Sequence, residues 1–182
     1  MENVYLRALE PSDADRTQKW HNDPSLYGML VSPFRYVSHA AEEEWIRRKA
    51  AYSQTEMQLA ICLKEGDQHI GNIHLRSIDW VSRHAEVGVF IGASEHWSKG
   101  YGSEALRLLL RHAFRDLGLR RIYLTVLDDN PRAMRAYEKC GFVVEGRLRG
   151  HAYKHGQFRD LIFMGVCADD PGGDWADHAE GG

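Results

Sequence analysis

The stretch that decides the fold is residues 85–105, which read AEVGVFIGASEHWSKGYGSEA. Its apolar beginning predicts a strand over 84–91, and a loop with Gly100 and Gly102 leads into a helix over about 103–117. Backbone amides converge in such a loop, and the N-terminus of the helix adds positive partial charge. The pattern therefore predicts either an ordinary tight turn or an anion site suited to a diphosphate.

A second motif, NPRAMRAYEKCGF, occupies residues 130–142, just after a strand predicted over 122–127. Asn130 is a typical N-cap, and Pro131 is a typical first residue of a helix. Helical spacing puts Tyr137 near the same sheet edge as Asn130. These two residues are either a cap and a core tyrosine or a pair of functional groups at that edge.

The rest of the chain alternates strands and helices in the manner of a mixed α/β protein. Further strands are predicted over 4–8, 57–64, 69–78, 143–151 and 158–166, and further helices over about 11–21 and 38–52. Antiparallel strands come first, two strand-to-helix units follow, and a hairpin ends the pattern. This order predicts one sheet covered by helices.

The composition is that of one globular domain with an acidic end. The 182 residues are 43% hydrophobic, which is enough to build one core. The last fourteen residues hold five acids, four glycines and no Lys or Arg, so we expect a domain over 1–168 and a flexible tail over 169–182. Trp175 would make this tail a docking strip, although a solvated chain end is the simpler interpretation.

Charge and hydropathy exclude several classes of function. The net charge is −3, whereas nucleic-acid-binding domains usually have a basic excess. The chain also has no run of eighteen apolar residues that could span a membrane. We therefore expect neither nucleic acid nor a membrane as a partner. The N-terminus has no signal-peptide pattern, and Cys62, Cys140 and Cys167 form no CxxC pair. Since no His-Glu-x-x-His motif occurs either, we expect no bound metal, no disulfide and a reducing, cytoplasmic location.

The two motifs together resemble those of the GNAT superfamily of acetyl-CoA-dependent N-acetyltransferases. The window WSKGYG over 97–102 is similar to the family signature Q/R-x-x-G-x-G/A, with Trp97 in place of Gln or Arg. It also resembles the W-x-K-G-x-A/G wording of the RimJ/RimL-like branch, which modifies protein N-termini, and of its spermidine-acetylating relatives. Asn130, Tyr137 and Gly141 match the next family motif.

The resemblance covers about residues 4–166 and implies a mostly antiparallel twisted sheet of six to seven strands with one splayed pair, flanked by about four helices. Acetyl-CoA would be the co-substrate, held by main-chain groups at the end of the strand over 84–91 and by the loop that follows. The residues carried over as cofactor-binding are Phe90, Ile91, Trp97, Ser98, Lys99, Gly100, Tyr101, Gly102, Ser103 and Asn130.

The implied reaction is direct attack of an amine on the thioester in a ternary complex. An alkyl amine has a pKa of about 10.4 and must lose a proton before it attacks. Glu86 resembles the family's glutamate base in its spacing from Gly100, and the other interpretation is a glutamate that anchors an arginine. Tyr137 stands at the family's acid position, from which it would protonate the leaving thiolate. Cys140 is expected to pack rather than to react.

The identity of the acceptor is the question that the sequence leaves open. The family builds this pocket from its first two helices, the loop between them and the last hairpin. The candidate substrate-binding residues are Trp20, His21, Tyr27, Phe34 and His74. Because the loop is aromatic and nearly uncharged, a protein or peptide N-terminal amine ranks first, and a spermidine-type polyamine, aminosugar or antibiotic ranks second. A module that binds acyl-CoA without turnover is the third alternative, and the branch allows a homodimer.

Overall fold

Seven strands form one sheet in residues 2–171 and 175, the part of the chain that the computed structural model describes. In chain order they are β1 (Val4–Ala8), β2 (Met57–Leu63), β3 (His69–Asp79), β4 (His84–Ile91), β5 (Arg121–Leu127), β6 (Val143–Lys154) and β7 (Gln157–Cys167). Their order across the sheet is β1-β2-β3-β4-β5-β7-β6, and every neighbouring pair is antiparallel except β4 and β5. The predicted fold class is confirmed.

Five α-helices accompany the sheet in the described residues. They are α1 (Ala14–His21), α2 (Pro24–Met29), α3 (His39–Ala50), α4 (Tyr101–Arg111) and α5 (Pro131–Glu138). The sequence predicts about four, and α2 is the additional one. Asp23 follows the end of α1 as expected, but it also accepts hydrogen bonds from the Ser25 and Leu26 amides and so caps a new helix. None of the described helices is long and apolar enough to cross a membrane.

Helix α4 supplies the centre of the core. Leu106 and Leu109 are buried in one cluster with Ile73 of β3 and Ile122 of β5. Burial of each leucine stabilises the fold by about 1.5–3 kcal/mol. The helix is shorter than predicted, because the backbone widens into a π-type turn over His112–Asp116. The apolar face of α4 thus fixes this helix, and the loop before it, against the middle of the sheet.

Trp175, which the sequence places in the acidic tail, packs against this core. Its side chain is 7% exposed, and its ring centroid lies 5.0 Å from that of Phe114. Its Nε1 donates to the Ala168 carbonyl at 3.0 Å. A tryptophan held in this way is not available as a docking strip for a partner. Residues 172–174 and 176–182 of the predicted tail lie outside the described residues.

Strands β4 and β5 are hydrogen-bonded to each other at one end only. Their parallel register ends where Glu86 pairs with Tyr123. Beyond that point β4 stays paired with β3 as far as Ile91, and β5 stays paired with β7 as far as Leu127. The β4 main chain that faces the gap is therefore free to bond a ligand. This is the splayed pair that the family resemblance implies.

Candidate active site

The gap between β4 and β5 opens into a cavity of about 690 Å³. Its walls come from both strands, from the loop before α4, from α5, and from side chains of the α1–α3 segment. The volume lies within the range of about 300–1,000 Å³ that is usual for small-ligand sites. The cavity is built differently at its two ends, with main-chain amides at one and charged and aromatic side chains at the other.

Main-chain amides form the end of the cavity at the N-terminus of α4. Gly100 has a φ of +87°, a left-handed conformation that glycine adopts without steric penalty. No side chain caps this helix, so its first amides are left for another acceptor. Ser98, Gly102 and Ser103 line the cavity here. Converging amides at a helix N-terminus fit an anionic group such as the pyrophosphate of CoA.

Trp97 and Arg132 close over this loop. The Trp97 indole Nε1 donates to the Ile91 carbonyl at 2.7 Å, which ties the loop to the end of β4. The Arg132 guanidinium lies 5.9 Å from the centroid of the Trp97 ring and donates to Ser98 Oγ at 3.2 Å. Sequence reasoning missed Arg132, although its place as the second residue of α5, beside the Asn130 cap, is a usable signal. Its cation stands directly beside the amide-lined end of the cavity.

The residues predicted to bind the cofactor are mostly brought together. Eight of the ten line the cavity: Phe90, Ile91, Trp97, Ser98, Gly100, Gly102, Ser103 and Asn130. The side chains of the other two do not. Lys99 is exposed, and the Tyr101 ring lies 5.8 Å from the ring of His96. Contacts of these two residues with a cofactor would come from their main chain.

Asn130 joins two helices at the edge of the cavity. Its Oδ1 accepts from the Ala133 amide at 3.1 Å, as an N-cap does. Its Nδ2 donates to the Met29 carbonyl at 3.3 Å, at the end of α2. The same side chain therefore caps α5 and holds it against α2, which agrees with the N-cap interpretation. Its role in binding the cofactor stays a prediction.

Tyr137 lines the cavity from the last turn of α5. Its ring packs against Phe142 with the centroids 6.0 Å apart. Burial raises the pKa of its hydroxyl to about 12. The phenol is therefore protonated at neutral pH and can donate a hydrogen bond into the cavity. Its role as the acid stays a prediction.

Glu86 stands at the point where β4 and β5 part. Arg76 Nη2 donates to its carboxylate at 2.5 Å, and the two residues face each other across β3 and β4. This is the arginine contact that the sequence offered as the alternative to a base. The carboxylate lines the cavity with its charge balanced by a cation. Its role as the base stays a prediction.

Two further carboxylates lie at the end of the cavity that has charged and aromatic side chains, which is called the acceptor end below. Glu56 forms an ion pair with Lys49. The buried Glu42 lies behind the wall, with its Oε2 2.5 Å from Nδ1 of His21. Glu56, Lys49 and His21 line the cavity. Sequence reasoning missed Glu56 and Lys49, because no local pattern marks them. Within the described ranges, no group of three or more His, Cys, Asp and Glu side chains is placed to hold a metal ion.

Aromatic rings cover the same end. The His21 ring lies edge-on to the rings of Tyr27 and Trp45, with centroid distances of 6.0 and 5.0 Å. All three rings line the cavity. This group offers apolar surface for an aliphatic chain and ring faces for a cation.

Two predicted substrate residues lie outside the cavity lining. Trp20 is buried and packs edge-on against Phe90 at 6.1 Å and against His69 at 4.9 Å. It supports the wall from behind, because it packs on Phe90, which lines the cavity. Phe34 does not line the cavity, but its ring packs against that of Tyr27, which does, with the two ring centroids 6.0 Å apart.

His74 is a residue of β3, and its ring lies over the neighbouring strand β4 at Gly88, in the wall of the cavity. A Cβ added at Gly88 would lie 2.4 Å from Cε1 of His74, so the imidazole rests on bare main chain. Burial, reinforced by the positive charge of Arg76, lowers the pKa of His74 to about 4. The imidazole is therefore neutral at neutral pH.

The chain is similar to acetyltransferases of known family and structure. The family model described as acetyltransferase (GNAT) domain matches residues 3–143. The spermidine N(1)-acetyltransferase of Vibrio cholerae is 38% identical over 161 residues, which cover 87% of this chain and 90% of that protein. The putative ribosomal N-acetyltransferase YdaF of Bacillus subtilis is 31% identical over 172 residues, which cover 91% of each. The crystal structure of spermidine N-acetyltransferase from Vibrio cholerae in complex with CoA and spermine superposes with a TM-score of 0.84 at 29% identity, over 92% of this chain and 96% of that one.

Proposed function

The chain belongs to the acetyltransferase (GNAT) family, and on this premise we propose that its acceptor is a primary amine of a spermidine-type polyamine. Membership of the family makes the chain an acetyl-CoA-dependent N-acetyltransferase. The choice of acceptor reverses the order expected from the sequence, in which a peptide amine ranks first. The reason is that Glu56, just before β2, and Glu86 of β4 bring carboxylates to a pocket whose own loop carries almost none.

The observation that carries the polyamine proposal is the combination of carboxylates and aromatic rings at the acceptor end. Glu56 and Glu86 line the cavity beside Tyr27 and Trp45. A polyamine presents ammonium groups along an aliphatic chain, so carboxylates and ring faces suit both of its parts. The relatives support the same acceptor, since one is a spermidine N(1)-acetyltransferase and a related crystal structure holds spermine.

The co-substrate would lie along the gap between β4 and β5. Amides of residues 98–103 would hold the pyrophosphate, and unpaired main-chain groups of β4 would bond the pantetheine arm. Arg132 would add a positive charge at the phosphates, and Asn130 would hold α5 in place beside the arm. Acetyl-CoA supplies an activated acetyl group, and this orientation brings its thioester to the narrow end of the gap, near Glu86.

Tyr137 would act on the departing sulfur as a hydrogen-bond donor. A hydroxyl with a pKa of about 12 stays protonated beside a thiolate whose conjugate acid has a pKa of about 8.5. Complete transfer of this proton to sulfur is therefore unfavourable. The hydroxyl stabilises the negative charge that develops on sulfur, and solvent completes the protonation.

A peptide N-terminal amine is the second candidate acceptor. The observation that favours it is that Glu86 and Glu56 already have cationic partners, Arg76 and Lys49. A polyamine must compete with these partners for full ion pairs, whereas a peptide amine requires room for only one reacting nitrogen. The similarity to a putative ribosomal N-acetyltransferase agrees with this candidate.

Release of free CoA thiol distinguishes the two acceptors. The protein would be incubated with acetyl-CoA and, in separate reactions, with spermidine, spermine, N-terminal peptides, aminosugars and an aminoglycoside. We expect kcat/KM for spermidine to exceed that for the peptides by about tenfold or more. Higher kcat/KM with the peptides would contradict the polyamine proposal. Glu56→Gln sharpens the test, because it should raise the KM for spermidine more than the KM for a peptide.

A further inference from the structure

His74 lies at the narrow end of the gap, opposite the place where β4 leaves β5. The register pairs it with Gly88 of β4 on one side and with Gln58 of β2 on the other. Gly88 is two residues beyond Glu86, the last β4 residue paired with β5, which is about 7 Å along the strand. His74 and the loop before α4 line the same cavity, so a CoA arm held as proposed above would run from that loop toward this histidine.

Gly88 makes room for the His74 ring. A Cβ at position 88 would lie 2.4 Å from Cε1 and 2.5 Å from Nε2 of the imidazole, far inside van der Waals contact. The ring lines the cavity. In residues 2–171 and 175, neither of its nitrogens has a hydrogen-bond or ion-pair partner. A histidine placed on bare main chain with both nitrogens uncommitted is suited to bonding a substrate.

The carboxylates near His74 are already engaged. Glu86 accepts from Arg76 at 2.5 Å, and Glu56 is paired with Lys49. A substrate must displace these cations before it can bond either carboxylate. The imidazole of His74 keeps its lone pair free at the same end of the cavity.

Charged groups from four parts of the fold surround His74. They are Lys49 of α3, Glu56 just before β2, Arg76 of β3 and Glu86 of β4. Burial and the two cations outweigh the two carboxylates, so the pKa of the imidazole falls to about 4. At neutral pH the ring therefore carries one nitrogen that donates and one that accepts.

We propose that His74 is the catalytic residue that accepts the proton of the attacking amine. The ammonium first gives up one proton to solvent. The neutral amine nitrogen then forms a bond to the thioester carbonyl carbon, the carbon–sulfur bond breaks, and one further nitrogen-bound proton passes to the free ring nitrogen. The sulfur leaves as a thiolate, bonded by the Tyr137 hydroxyl, and takes a proton from solvent. His74 returns its own proton to solvent through the open cavity. This assignment rests on the proposed acetyl transfer and gives Glu86 the role of anchoring Arg76 beside the ring.

The amine can pass its proton to a weakly basic imidazole because its own basicity changes during the reaction. A free alkyl ammonium has a pKa of about 10.4. As the nitrogen lone pair becomes committed to carbon, the remaining nitrogen-bound protons become far more acidic, and a neutral acceptor within reach can remove one.

Steady-state kinetics of four variants test the assignment. His74→Gln and His74→Ala should each lower kcat by about 100-fold with the KM for acetyl-CoA unchanged. Added imidazole should restore part of the activity of His74→Ala but none to His74→Gln, whose side chain fills the space. Gly88→Ala, which displaces the ring, should cause a similar loss. In the double variant His74→Gln/Gly88→Ala, the second change should then add little.

Glu86→Gln is the matched comparison, and it should lower kcat by less than about tenfold. If Glu86→Gln abolishes turnover while His74→Gln stays within about threefold of the wild type, Glu86 is the base and the proposal is overturned. Absence of imidazole rescue in a His74→Ala protein that still binds acetyl-CoA also contradicts it. A wild-type protein that binds acetyl-CoA but releases no thiol with any amine contradicts the proposed function itself, which is a distinguishable outcome.

Discussion

The two carboxylates that line the cavity in the described part of the chain are both held in ion pairs. Glu86 meets Arg76 and Glu56 meets Lys49, so each charge has a counter-charge on the chain. A ligand that bonds one member of such a pair competes with the other member for it. His74 differs because its nitrogens have no partner among the described residues. At the residue scale, we therefore expect the reactive groups to be those that the fold leaves without a hydrogen-bond or ion-pair partner.

Tyr137→Phe should lower kcat by about 10- to 100-fold while acetyl-CoA still binds. The phenylalanine ring keeps the contact with Phe142, and only the hydroxyl donor is lost. The measurements are kcat from thiol release and the acetyl-CoA dissociation constant from calorimetry. Tyr153→Phe, on a ring that is 63% exposed, is the matched control and should change neither. An unchanged kcat in Tyr137→Phe would show that the hydroxyl has no part in the reaction.

Arg132→Ala should raise the KM for acetyl-CoA about fivefold with little change in kcat. The variant removes one cation beside the amide-lined loop, and a charge-assisted bond to phosphate that is open to solvent contributes about 1 kcal/mol. The effect should shrink as salt is added, because salt screens exposed charges. Arg120→Ala removes an exposed guanidinium paired with Asp169 and serves as the control. Equal KM values for the two variants would argue against phosphate contact by Arg132.

Single hydrogen bonds position whole elements around the gap. Asn130 holds the start of α5 to the Met29 carbonyl at the end of α2, and Trp97 holds the loop before α4 to the Ile91 carbonyl at the end of β4. The first bond joins α5 to α2, and the second holds the loop against the strand that precedes it. At this scale, the positions of α5 and of the loop before α4 depend on two side chains that line the cavity.

Asn130→Ala should destabilise the fold by about 1 kcal/mol and also raise the KM for acetyl-CoA. The stability loss follows from the missing N-cap of α5, and the weaker binding follows from the lost link to α2. Ser38→Ala is the matched variant, since it removes a comparable cap from α3. Urea denaturation and steady-state kinetics of both proteins separate the two effects. The link is irrelevant to binding if Ser38→Ala raises the KM as much as Asn130→Ala does.

The sheet as a whole has one parallel pair among antiparallel neighbours in the described chain, and the site lies at that pair. The crossover through α4 makes β4 and β5 parallel, and each strand keeps a full antiparallel partner on its outer side. The two strands can therefore separate without loss of the sheet. The gap places the cavity in the middle of the sheet, where side chains from both halves line it, and His74 is one of them.

The stability of the folded protein should fall as the pH drops from about 6.5 to 4. The pKa of His74 is lowered from its usual 6.5 to about 4, so within this window the unfolded chain binds the proton and the folded chain does not. The full penalty is about 3 kcal/mol and is absent above the unfolded pKa. Burial also lowers the pKa of His69, which adds a change of the same sign.

Urea midpoints measured between pH 7 and 4 test this linkage. His74→Gln should flatten the dependence, because a group that does not titrate cannot contribute to it. His151→Gln, on an exposed histidine, should keep the wild-type slope. Identical slopes in all three proteins would mean that His74 is not desolvated as the structure has it.

By itself, the sequence determined the parts of the site that depend on neighbours along the chain. Strand β4 spans 84–91 as predicted, Gly100 takes a left-handed φ before α4, and Asn130 caps α5. Hydrophobic alternation, glycine geometry and N-cap bonds all act within a few residues, so local sequence specifies them. The order of these units along the chain was also enough to predict the fold class and the resemblance to the family.

Only the tertiary structure decided what the chemical groups meet. The register of β3 on β4 puts Arg76 on Glu86 and His74 on Gly88, and the packing of α3 brings Lys49 to Glu56 at the cavity. A shift of one residue in that register would turn each of these side chains to the other face of the sheet. Register is set by the packing of strands and helices that are distant in the sequence. The sequence alone therefore could not predict that Glu86 meets Arg76 or that His74 meets Gly88.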